Sequence, residues 1–105
     1  MVNEKVEQER VDLAAVMEAW VDEIGVGIRV TAREAMALCG RDLRQALRAG
    51  LHGRAPTPRT LKSYITVRSQ QVVNGLTFSR EIRSNGPMRF YLERQADGPW
   101  NDWGY

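Results

Sequence analysis

The chain has 105 residues, 43% of them hydrophobic and 27% charged, the make-up of one ordinary globular domain. One cysteine, Cys39, excludes an internal disulfide and cannot alone hold a zinc, and a single histidine, His52, removes most metal and triad chemistry. The formal net charge of +2 is uneven: residues 1–52 carry seven basic and nine acidic side chains, residues 53–105 eight and four, and thirteen of the fifteen basic residues are arginines.

Residues 1–10 are polar and predict a flexible N-terminus ahead of a domain spanning 11–95. No signal-peptide core follows Met1 and no apolar run approaches the ~18 residues of a membrane span, so a cytoplasmic protein is expected. From Val11 onward, Leu13, Val16, Met17, Trp20 and Ile24 recur at helical spacing, with Glu18, Asp22 and Glu23 opposite and Gly25 suited to a C-cap. Val26-Gly27-Ile28-Arg29-Val30 alternates and predicts a short strand. Thr31-Ala32-Arg33-Glu34 has the capping-box pattern and opens a helix running to Cys39. Gly40 interrupts it, and Asp42 is the expected cap of a further helix with Leu43, Ala46 and Leu47 inward.

Thr57-Pro58 predicts the start of another helix, continuing to Val73 and closed by Asn74-Gly75. The period then drops to two. Leu76, Phe78 and Ile82 form one strand and Met88, Phe90 and Leu92 a second, with Asn85-Gly86 between them as a hairpin turn. Residues 96–105 hold Trp100, Trp103 and Tyr105 among glycine and proline and predict a flexible aromatic tail. The order of elements predicts an α+β fold of winged helix-turn-helix type: three or four helices, a small antiparallel β-sheet and a C-terminal hairpin wing. The strand at 26–30 is expected to complete the sheet.

Advancing about 100° per residue from Pro58, Leu61, Tyr64, Ile65 and Val72 collect as a core stripe, while Arg59, Lys62, Ser63, Thr66 and Gln70 fall opposite. That outer face has no carboxylate. Its cations, hydroxyls and amide fit phosphate contacts and base-edge readout in a major groove. The alternative is a solvated helix face, which ordinarily mixes glutamate with lysine. Arg80, Arg83 and Arg89 are expected close together on the wing, against a phosphate backbone, although charged edge strands also block aggregation. Arg68 falls inside the apolar stripe and reads as structural, snorkelling or paired to an acid of the first helix. His52 reads as an exposed loop residue and Cys39 as helix packing. No catalytic residue, metal, cofactor or small-molecule substrate is expected.

Three stretches carry a resemblance: Asp42-Leu43-Arg44-Gln45-Ala46-Leu47, Thr57-Pro58-Arg59-Thr60-Leu61-Lys62-Ser63-Tyr64-Ile65, and Val72-Val73-Asn74-Gly75-Leu76-Thr77-Phe78. Together they resemble the winged-helix domains at the C-termini of phage and mobile-element primase-helicases and related replication proteins, over residues 31–94. Lys62-Ser63-Tyr64, Gln71 and Phe90 depart from the family's usual Gly-basic-Trp, arginine and tryptophan. The resemblance implies a role in mobile-element DNA metabolism, in a bacterial host cytoplasm, with duplex DNA as the partner. A non-enzymatic nucleic-acid-binding protein is the expectation. The alternative is a small phage-type winged helix that binds, inhibits or recruits a replication or host protein through its basic face or aromatic tail.

Overall fold

The computed structural model describes residues 4–82 and 84–95; Arg83 and the expected aromatic tail at 96–105 lie outside the described residues. The architecture is α+β. Its elements are α1 (Glu4–Glu23), β1 (Val30–Thr31), α2 (Ala32–Leu38), α3 (Arg41–Gly50), α4 (Pro58–Arg68), β2 (Leu76–Glu81) and β3 (Arg89–Arg94).

Helix α1 begins at Glu4, ahead of the expected Val11. The sequence of its first two turns, Glu4 to Arg10, is rich in good helix formers, with no glycine or proline to delay the start. It stops where expected: the Gly25 N–H bonds the Trp20 carbonyl at 2.9 Å, with Gly25 at φ 114°. The strand expected at 26–30 shrinks to Val30–Thr31, with Val26 reduced to an isolated parallel bridge to Leu92. Gly25 and Gly27 both take positive φ, which bends the chain out of a continuous ladder and leaves Ile28 exposed.

Thr31 caps α2 as the T-x-x-E pattern predicts, its hydroxyl accepting from the Glu34 N–H while the Glu34 carboxylate accepts from the Thr31 N–H at 2.9 Å. Helix α3 departs from expectation, for its N-cap is Gly40 rather than Asp42, and Gly40 has no side chain to offer. The partner comes from α1. One Glu23 carboxylate oxygen accepts from the Gly40 N–H and the other from the Leu43 N–H at 2.9 Å. A Cβ at residue 40 would meet that carboxylate, so a larger residue there would have to displace the Glu23 side chain from its capping position.

The sheet has the order β1-β3-β2, all antiparallel, with Val30 opposite Phe90 and Phe78 opposite Leu92. Leu76, Phe78, Phe90 and Leu92 point inward, against Leu13, Val16, Met17 and Trp20 of α1, Leu43 and Leu47 of α3, and Leu61, Tyr64 and Ile65 of α4. Trp20 meets Phe78 edge to face, ring centroids 5.0 Å apart at 79°, at the centre of this core.

Candidate functional site

Helix α4 begins at a reciprocal cap of two threonines. The Thr57 hydroxyl accepts from the Thr60 N–H at 3.1 Å, and the Thr60 hydroxyl accepts from the Thr57 N–H at 2.7 Å. A capping box ordinarily has Glu or Gln in the second role. With threonine there, the positive end of α4 carries no neutralising carboxylate. Leu61, Tyr64 and Ile65 are buried, and Arg59, Lys62, Ser63 and Thr66 face outward as the helical period predicts. None of these four side chains bonds another described residue.

The helix ends at Arg68, five residues before the expected Val73. Ser69 is extended, Gln70 takes φ 73°, and the Gln70 N–H bonds the Phe78 carbonyl at 3.2 Å. Two expectations fail with that early stop. Val72 is 40% exposed rather than part of the core stripe. Gln70 leaves the α4 face and lines a hollow on the outer side of the sheet with Thr77, Ser79 and Glu93.

The two described wing arginines, Arg80 and Arg89, do not lie together. Arg80 is opposite Phe90 in the register, and Arg89 is opposite Glu81, so their side chains emerge on opposite faces of the sheet. Arg80 is exposed on the face that holds Phe78 and Phe90. Arg89 belongs with the outer face, beside the α2 cap, where it adds to the bonds from Thr31 that hold the Glu34 carboxyl below its usual range; the Thr31 backbone bond is the largest of those influences. That outer face has its own pairings: Arg29 to Glu81 at 2.6 Å, Arg29 over the Tyr91 ring at 4.3 Å, and Ser79 donating to Glu93. The acids of the strands are therefore engaged on the side away from the core.

The exposed α4 residues divide between two hollows. Lys62 shares one with Arg33 of α2 and with Pro87, Met88 and Phe90 of the hairpin, which brings the turn region beside the helix. Arg59 and Ser63 share the other with Gly50, His52 and Arg54 of the α3–α4 loop. Arg33, His52 and Arg54 were not singled out as site residues in the sequence. Arg33 had a legible position, in the exposed first turn after a capping box; the two loop residues had none. Arg68 stays structural, but among the described residues it pairs with no acid of α1. Its guanidinium lies 4.0 Å over the Tyr64 ring and donates to the Tyr64 carbonyl at 3.3 Å.

Among the described residues no helix is long and apolar enough to cross a membrane, and no group of three or more His, Cys, Asp or Glu side chains is placed to hold a metal. Comparison with protein-family models, with curated proteins and with solved structures gave no match to this chain.

Proposed function

We propose that the chain is a non-enzymatic nucleic-acid-binding protein of winged-helix type, with α4 as the element that enters the groove of duplex DNA. The observation that carries this is the outer face of α4: Arg59, Lys62, Ser63 and Thr66 are exposed, free of carboxylates and unbonded to any other described side chain. Cations and hydroxyls on one helix face supply phosphate contacts and base-edge hydrogen bonds. Arg33 extends the reading to the α2 side, where it shares a hollow with Lys62, and Arg80 adds an exposed cation on β2. A place in phage or mobile-element DNA metabolism follows from the sequence resemblance and belongs to the same proposal.

The test is titration of a fluorescent duplex at several salt concentrations. Each phosphate neutralised contributes a log–log slope of about −0.9, so Arg59, Lys62 and Arg80 together give about −2.7. Arg59→Glu combined with Lys62→Glu is expected to flatten the slope and weaken binding while leaving the melting temperature near wild type, since both residues are exposed. Wild-type protein that binds neither DNA nor RNA at low salt would end this reading.

A second reading has an observation of its own. Val67 on α4 and Ile82 after β2 are each 72% exposed, and apolar side chains in such positions suit a protein partner. Failure of the duplex titration, with retained folding, moves the same face to that reading.

A further inference from the structure

Between α4 and the α3–α4 loop lies a hollow of about 320 Å³. Three arginines are among the residues that line it, Arg54 from the loop and Arg59 and Arg68 from α4, together with His52, Ser63 and the apolar Leu51 and Val67. Among the described residues no carboxylate lines it, and Asp12 and Glu9 of α1 act on Tyr64 of its wall only as lesser influences beside burial. The loop is held in an unusual shape to present these groups: His52 and Gly53 have φ of 58° and 89°, the first in a region a non-glycine residue seldom occupies. The Gly53 N–H bonds the Arg48 carbonyl at 2.8 Å and the Arg54 N–H bonds the Leu51 carbonyl at 3.3 Å, fixing the loop backbone on the end of α3.

The wall of the hollow is equally specific. Tyr64 lies in it, packed so closely on Gly50 that a Cβ there would come within 2.9 Å of the tyrosine hydroxyl. That hydroxyl is buried and has no hydrogen-bond partner among the described residues. Burial pushes its pKa up to about 12, so it remains a donor. Arg68 is fixed over the ring of the same tyrosine, which holds one guanidinium in place before any ligand arrives.

We infer that this hollow binds a phosphate monoester, such as the terminal phosphate of a nucleic-acid strand. A phosphodiester in a continuous backbone carries one charge and runs past the protein, and a row of cations on a helix meets it. A monoester carries about −1.5 to −2 near neutral pH and projects three acceptor oxygens from the end of its carrier. Several arginines around a concave site with no described carboxylate in its lining match that shape and charge. The inference rests on the nucleic-acid reading of α4 only for the identity of the carrier strand; the same chemistry would take a free mononucleotide or inorganic phosphate.

The experiment compares two duplexes of one sequence, ended by a 5′-phosphate or a 5′-hydroxyl, and adds inorganic phosphate and a mononucleotide as free probes followed through the His52 and Arg54 resonances. The 5′-phosphate duplex is expected to bind roughly tenfold more tightly, the worth of one charge-assisted bond. Arg54→Gln is expected to erase that preference; Arg54 is exposed and its side chain bonds no other described residue, so the melting temperature should hold. Equal binding of the two duplexes, with no resonance shifts from either free probe, overturns the inference and leaves the duplex reading standing. Resonance shifts from inorganic phosphate or mononucleotide, in a protein that binds no duplex, support the phosphate site with a free ligand and remove the duplex reading instead. Absence of all binding removes both.

Discussion

Two buried aromatics show how single residues carry opposite burdens. Trp20 fills the centre of the core against Phe78, and Trp20→Ala is expected to cost about 3–5 kcal/mol, measured by chemical denaturation. Tyr64 is buried as well, but its hydroxyl has no partner, and an unsatisfied buried hydroxyl is itself destabilising. Tyr64→Phe is therefore expected to leave the melting temperature unchanged or raise it. The same side chain sets an alkaline limit. Its folded pKa is raised, so its contribution is complete below the unfolded value near 10 and is lost as pH climbs from there towards about 12. Stability followed across that window should fall in the wild type and fall less in Tyr64→Phe.

At the scale of elements, the carboxylate of Glu23 does for α3 what a local cap ordinarily does. Glu23→Ala strands the N–H groups of Gly40 and Leu43, and a loss of about 1 kcal/mol is expected, the usual worth of a helix cap. Faster amide exchange confined to the first turn of α3 would identify the cause. A loss spread evenly over the molecule would contradict it. Capping across two helices is also why Asp42 misleads as a sequence signal: the pattern is local, and the true acceptor lies on another helix. Much of the rest was legible. Both threonine caps, the α4 core stripe from Leu61 to Ile65 and the two hairpin strands follow from period and cap chemistry, although Ile82, expected in the first strand, lies past the end of β2 and is exposed. The end of α4 was not legible, because Ser69 and Gln70 are neither glycine nor proline, and the Gln70 N–H is diverted to the sheet by a tertiary bond. The sorting of Arg80 from Arg89 depends on register across the hairpin, which alternation within each strand leaves open.

For the whole molecule, the asymmetry of charge in the sequence becomes a division of surfaces. The acids of the strands are bonded on the outer face of the sheet, and the exposed cations of α4 and its loop are left without them. Half of the candidate interface was thus readable as a helical face. The other half, built from Arg33, His52 and Arg54, depends on how the chain returns to α4, a property of the folded molecule that no local window contains.

The position of β3 sets the order in which this protein can be completed. It is the last of the described strands in sequence and the middle one in space, pairing Phe90 with Val30 on one side and Leu92 with Phe78 on the other. During synthesis, β1 and β2 emerge with no neighbour to join, and the helices have only half a layer to pack against. Sequence-distant pairing of this kind slows folding, since the connecting chain must be ordered before any reward is gained. A purified chain truncated after Met88 should stay protease-sensitive and lack a cooperative melting transition, and extension to residue 95 should bring protection and cooperativity. Residues 89–94 thus act as the keystone of the sheet: β1 and β2 are joined only through them.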